Sequence, residues 1–304
     1  MPATLLQPGQ IEAAAGSIPE LRLPPADVFL ARARRLEQLA AQHALGDYLR
    51  FVARLAHAQH DRLTAAPITG LPDAARLAQC REYGMPPLAP AGLARPPGWQ
   101  ATARRLAHAL LPALPAAGQA ALQPAADATD AWLDAQAGYL FDGDHAALDL
   151  AAAPLIGAAL QVHWSGLARQ LDPAAVARPE LPSLCPVCGS HPVSSIVRIG
   201  GAGNGLRYLH CSLCASEWHV VRAKCSNCDN TRGIDYYHVE GGDETVHAES
   251  CPACRSYLKL MRQDRDALAD PVADDLATLA LDWLMDERGQ SKSGLNWYLL
   301  QSRL

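Results

Sequence analysis

The chain has 304 residues, 49% of them apolar and 19% charged, with a formal charge of −5. That length allows two domains of ~100–200 residues each and a core that needs no cysteines to hold it together. The acidic balance gives no electrostatic pull toward nucleic acid or acidic membranes, so proteins or small molecules are the expected partners.

Residues 1–25 read as an N-terminal extension. Its first twenty residues carry no Lys or Arg and no continuous apolar core, failing the tests for a secretory or twin-arginine leader and predicting a cytoplasmic chain. From 26 to 177 the sequence is rich in Ala, Leu and Arg. Asp27 precedes a run in which Leu30, Leu36, Leu39, Tyr48, Leu49, Val52 and Leu55 recur at helical steps, as one helix or a pair broken near Gly46. Further helices are expected over Pro72 to Tyr83, Trp99 to Leu111, Ala116 to Tyr139 and Asp144 to Leu171, separated by stretches such as PPLAPAGLARPPG. The most apolar span, Ala146 to Trp164, contains Asp149 and Pro154 and falls short of the ~20 clean apolar residues of a membrane span. It reads as a buried helix kinked or broken near Pro154, so no membrane insertion is expected.

Near Arg178 the texture changes to Gly, Cys, β-branched and aromatic residues in short alternating runs, marking a β-rich region that ends near Leu260. A closing helix follows, with Asp270 as cap, Pro271 in the first turn, Leu276, Leu279, Ala280, Trp283 and Leu284 on one face, and Gly289 at the end. The expected architecture is α+β and multidomain. An all-helical bundle (26–177) precedes two tandem rubredoxin-like or zinc-ribbon β-hairpin metal modules (178–220 and 221–262). A C-terminal helix and tail (263–304) pack back on the bundle.

Eight of the nine cysteines fall in four CxxC pairs: Cys185/Cys188, Cys211/Cys214, Cys225/Cys228 and Cys251/Cys254. The second pair begins 26 residues after the first, the fourth 26 after the third, and the whole pattern repeats at 40 residues. This is an internal duplication. In one repeat SSIVRI meets GGAGNG and LRYLH; in the other IDYYHVE meets GGD and ETVHAES. Each reads as strand, glycine turn, strand, a hairpin that brings two CxxC pairs together. Four thiolates at one point repel each other and need a cation. One ion is therefore expected on Cys185, Cys188, Cys211 and Cys214, and a second on Cys225, Cys228, Cys251 and Cys254. The rival pairing, Cys211/Cys214 against Cys225/Cys228, is disfavoured because a duplicated unit should contain its whole site. On this reading ASEWHVVRAK is a bridge whose length sets how the two ribbons sit against each other.

A purely structural zinc role competes with a functional one, since metal would supply much of the folding free energy of such small modules. A thioredoxin-like dithiol lacks its βαβ context. A tetrahedral four-sulfur site takes iron or zinc, and CPVCG and CPAC resemble rubredoxin knuckles. Gly200, Gly201, Gly203 and Gly205 suit a hairpin turn better than a phosphate loop, because a strand follows them. Cys80 reads as a packing residue, and His57 and His60 as exposed polar residues without a third ligand. His210, His219 and His247 lie near the thiolates in sequence and are candidates to orient them. Tyr208, Trp218, Tyr236 and Tyr237 are candidate partner contacts, or else cover the ribbon cores. From Cys185 to Arg262 there are eight Lys/Arg and seven Asp/Glu, not the basic stripe of a nucleic-acid reader. No hydrolase, zinc-protease or P-loop motif is present, and closed four-ligand sites lack the open position that Lewis-acid catalysis needs, so an enzyme is not expected.

The stretch SLCPVCGSHPVSSIVRIGGAGNGLRYLHCSLCASEWHVVRAKCSNC, followed by AESCPACRSYLK and ADDLATLALDWLMDERG, resembles the formate dehydrogenase accessory protein family FdhE. The match is specific from about Leu184 to Gly289. The resemblance implies a non-catalytic cytoplasmic factor required for active respiratory formate dehydrogenase, acting on the catalytic subunit during maturation, with rubredoxin-type iron on the CxxC pairs. All eight motif cysteines carry over. SGLNWYLL stands where the family tends to have an Asn-Pro-Phe segment, which puts a tail-mediated contact in question. A structural zinc-ribbon adaptor without redox role is the alternative, and homodimerisation is left open.

Overall fold

A computed structural model describes residues 18–178, 181–242 and 244–300. The first half is helical: α1 (Val28–Ala40), α2 (Gly46–Ala65), α3 (Ala74–Glu82), α4 (Trp99–Leu110), α5 (Ala116–Ala126), α6 (Asp130–Asp142) and α7 (Ala153–Ala168). The break at Gly46 falls between α1 and α2, as the hydrophobic spacing requires. Two longer runs are shorter than the periodicity suggests. The run from Ala116 to Tyr139 divides at Thr129, whose hydroxyl accepts the Trp132 N–H and caps α6. The run from Asp144 does not become helical until Ala153, because the Asp149 carboxylate captures the Ala151 and Ala152 N–H groups in a turn. Pro154 therefore neither kinks nor breaks the helix; it sits in the first turn of α7, where its missing N–H costs nothing.

Helix α7 runs through the centre of the molecule, with every residue except Pro154 buried. Gly166 is required where it crosses the loop after α2: a Cβ there would lie 2.3 Å from Ile68 Cγ1. Among the described residues, no helix is long and apolar enough to cross a membrane.

The strands are β1 (Leu21–Arg22), β2 (Pro192–Val197), β3 (Arg207–Cys211), β4 (Glu217–His219), β5 (Asp235–Tyr237), β6 (Val246–Cys251), β7 (Ser256–Arg262) and β8 (Ser291–Lys292). They form one continuous sheet in the order β1-β4-β3-β2-β7-β6-β5, with β8 on β7. Each cysteine repeat is thus a three-stranded antiparallel unit, β2-β3-β4 and β5-β6-β7, rather than a two-stranded hairpin. Nor are the units separate ribbons set apart by a linker. Parallel pairing of β2 with β7, Ser195 opposite Leu260 and Val197 opposite Arg262, splices them edge to edge. ASEWHVVRAK does not act as a bare spacer, because its Glu217–His219 segment is itself β4. β1, from the N-terminal extension, covers the outer edge of β4 with Leu21 opposite Trp218.

The C-terminal segment forms two short helices, α8 (Ala273–Ala277) and α9 (Leu279–Glu287). Asp270 caps the first by accepting the Val272 and Ala273 N–H groups. The expected single helix divides at Thr278, whose hydroxyl donates to the Asp274 carbonyl while its own carbonyl accepts from Lys259 Nζ. Leu281 and Met285 of α9 pack with Ile196, Tyr208, Ala248, Tyr257 and Met261 on one sheet face. Lys259, with no exposed surface, donates to Asp282 at 2.7 Å and anchors this layer. The tail also reaches the bundle. Trp297 and Tyr298 join its core, and Tyr298 donates to Gln59 of α2 at 2.5 Å.

Candidate metal centres

Each site is built from two knuckles. In the first, the Gly189 N–H donates to the Cys185 carbonyl at 2.8 Å and the Cys185 N–H to the Ser190 carbonyl at 3.0 Å. The corresponding bonds in the second repeat run from Asp229 to Cys225 at 3.1 Å and from Cys225 to Asn230 at 2.8 Å. Such a tight return requires a left-handed residue just after the second cysteine, and all four knuckles have one: Gly189 at φ 72°, Ala215 at 57°, Asp229 at 63° and Arg255 at 54°. Only one of the four is glycine, so three carry the strain an L side chain meets in that region.

The sulfurs meet within each repeat. Cys185 and Cys214 are 3.6 Å apart and Cys188 and Cys211 3.3 Å; in the second repeat Cys225–Cys254 and Cys228–Cys251 are both 3.7 Å. All sulfurs of a group lie within 4.8 Å of one another. A tetrahedron with metal–sulfur bonds of ~2.3 Å has sulfur–sulfur edges of ~3.8 Å. The donor set and spacing therefore fit one tetrahedral ion per group, and the distances far exceed a disulfide bond. The rival pairing of the two middle CxxC motifs does not occur.

Four thiols this close cannot ionise independently. Burial, reinforced by the neighbouring thiols, pushes Cys185 well up. Burial works the same way on Cys188, but hydrogen bonds from Cys185, Cys211, Cys214 and Ser190 outweigh it and hold that thiol well down. At the second group burial pushes Cys225 up to about 12, while Ser256 and Cys228 overcome desolvation at Cys254 and bring it down to about 6. A bound cation removes the conflict by stabilising all four thiolates together, and iron in that place would supply one-electron chemistry as well.

The residues that touch the sulfurs are not the expected histidines. Ser216 Oγ lies 3.3 Å from Cys214 Sγ, and Ser256 Oγ 3.0 Å from Cys254 Sγ. Asn230 Nδ2 donates to Cys251 Sγ at 3.5 Å, and backbone N–H groups of Leu213, Cys214 and Asn227 point at sulfur. Ser216 and Ser256 are 40 residues apart, as are Ser190 and Asn230; the repeat period marks them once the comparison extends beyond cysteine. The histidines are engaged elsewhere. His210 faces Glu217 at 3.0 Å and Arg32 at 3.5 Å. His219 pairs with Glu20 and lies edge-on to Tyr208, and His247 stacks at 5.3 Å from His238.

Two of the four candidate contact aromatics are corrected. Tyr208 is fully buried under α9, and Trp218 is 5% exposed with its indole N–H given to the Pro182 carbonyl. Both cover the sheet, because β1 and the C-terminal helices close over positions that alternation alone makes look free. Tyr236 is 44% exposed, and Tyr237 is partly covered by the Arg288 guanidinium 4.6 Å above its ring. Cys80 is buried, and His57 pairs with Glu37 on the neighbouring helix.

Family models match nearly the whole described chain in three consecutive pieces: FdhE N-terminal over residues 18–180, FdhE central domain over 184–222 and FdhE C-terminal domain over 223–299. The chain belongs to the FdhE family. An FdhE homolog of Pseudomonas aeruginosa is 43% identical over 304 residues, 98% of each chain, and one from Edwardsiella ictaluri is 45% identical over 94% of this chain and 93% of its own. The crystal structure of the FdhE protein from Pseudomonas aeruginosa superposes with a TM-score of 0.82 at 40% identity, covering 93% of this chain and 99% of that one. The central FdhE piece contains the first four-cysteine group and the C-terminal piece the second.

Proposed function

We propose that the protein is a cytoplasmic, non-catalytic maturation factor that binds the catalytic subunit of respiratory formate dehydrogenase and carries two metal ions, of rubredoxin-type iron, on its four-cysteine groups. The observation that carries this reading is the pairing of FdhE membership over nearly the full chain with two sulfur tetrahedra spliced into one sheet. Four ligands close each site, leaving no open position for a substrate, which favours a binding role over a catalytic one. The exposed Tyr236 lines a surface cavity of about 280 Å³ with Arg222, His247, Arg262 and Asp264, a mix of aromatic and charged groups of both signs that suits a protein partner.

The test is a pull-down of the catalytic subunit with wild-type and Cys→Ser protein, with bound metal measured on each. Retention by wild type with two ions per chain is expected, and replacing cysteines in both groups should remove both the ions and the retention. Failure of the wild-type protein to retain the subunit overturns the partner. Visible absorption that bleaches on reduction identifies iron. Colourless, folded protein from anaerobic, iron-replete cells overturns iron in favour of zinc.

A further inference from the structure

The duplication makes two sites of equal chemistry but places them in unequal surroundings. Cys185, Cys188 and Cys214 have no exposed surface and Cys211 has 1%. All four belong to the main hydrophobic core, together with Val187, Leu213 and the helices of the first half. Helix α7 also holds the Cys211–Cys214 knuckle by its backbone: Gln161 donates to the Ser212 carbonyl at 2.8 Å and Ser165 to the Cys214 carbonyl at 3.2 Å. The Leu88 N–H, ahead of α4, donates to the Val187 carbonyl at 2.9 Å. Reaching this site from water means lifting α7 or the 85–90 loop off the sheet.

The second group has no such cover. Cys228 is exposed and Cys254 half-buried, and the knuckle residues Asn227, Asp229, Pro252, Ala253 and Arg255 are exposed. None of its four cysteines belongs to either hydrophobic cluster.

We propose that the two sites have divided duties: the first is a structural clamp that locks the helical half to the sheet, and the second is the exchangeable site, open to an incoming ligand from solvent or from a partner. This rests on the reading that both groups hold metal. Ligand exchange at a four-coordinate thiolate site proceeds through entry of a further ligand. At the second site that ligand arrives directly on the Cys228 and Cys254 side. At the first it must wait for a local opening, whose free energy is drawn from core packing.

The experiment loads the full chain with zinc and follows release to a chromogenic chelator, a readout independent of formate dehydrogenase. One ion per chain is expected to leave at least about tenfold faster than the other, since even a modest local opening cost slows the closed site by that factor. The double variant Cys228→Ser/Cys254→Ser is expected to lose the fast phase while keeping the slow ion and its far-ultraviolet circular dichroism. Cys188→Ser is expected to lose folded signal along with metal. Release of both ions in one phase, or removal of the slow phase by the Cys228→Ser/Cys254→Ser pair, overturns the division. A pull-down that fails while release stays biphasic overturns the proposed partner and leaves the division standing.

Discussion

Arg207 of the first cysteine repeat is ion-paired with Glu249 of the second, across the seam where β2 meets β7, and both side chains are almost fully buried. Glu249 also accepts from Ser195 at 3.1 Å, and Arg207 donates to the Val221 and Lys224 carbonyls, so one pair ties together both repeats and the segment between them. Glu249→Ala would strand a buried guanidinium, and loss of one partner from such a pair costs ~3–5 kcal/mol. The denaturant midpoint should fall accordingly, and replacing both residues with apolar ones should recover much of the loss. A single variant with an unchanged midpoint would show that the strand pairing alone holds the seam.

Glu217 supplies a pH dependence. Burial would raise its carboxyl, but Arg198 beside it and the hydrogen bond with His210 prevail and hold it down at about 2. A carboxylate depressed in the folded state stabilises the fold above its unfolded pKa, and that contribution disappears as pH falls through the folded value. The stability difference between wild type and Glu217→Gln should thus be full at neutral pH, on the order of 3 kcal/mol, and should close between about pH 4.5 and about 2. Equilibrium unfolding at a series of pH values measures it; a difference that does not vary with pH would exclude the ion-pair origin.

Ser256 and Ser216 place hydroxyls beside sulfur at equivalent points of the two repeats. Groups that orient metal ligands typically contribute 10–100-fold in affinity, so Ser256→Ala should weaken the second site by about that range while sparing the first. Competition against a chelator of known affinity reads this out, and equal affinity of variant and wild type would mean the hydroxyl only fills space.

Ala215, buried at φ 57°, stores backbone strain that glycine at the equivalent point of another knuckle, Gly189, does not. Ala215→Gly should raise stability by about 1 kcal/mol, less a few tenths for added chain entropy in the unfolded state. Thermal denaturation checks the sign; a lower midpoint would mean that the methyl group's packing outweighs the strain.

The cysteine groups are legible in the sequence because the duplication and the short hairpin turns are local: a 40-residue period and a glycine-rich turn bring sulfurs together with little help from the rest of the chain. The same period also marks Ser216 and Ser256, although a search restricted to familiar metal ligands passes over them. His210, Tyr208 and Trp218 illustrate the opposite case. Alternation along a strand assigns them to faces but says nothing of what covers a face, and β1, α1 and α9 come from distant parts of the chain.

The order of residues is enough to establish a helical half, a duplicated four-cysteine unit and a capped C-terminal segment, since periodicity, spacing and turn chemistry act over a few residues. Only long-range packing makes the two units one sheet through β2 and β7. The same packing sinks the first site into the core of the helical half and leaves the second at the surface. Identical local chemistry is compatible with either environment, and which one each copy occupies depends on neighbours that its own sequence does not contain.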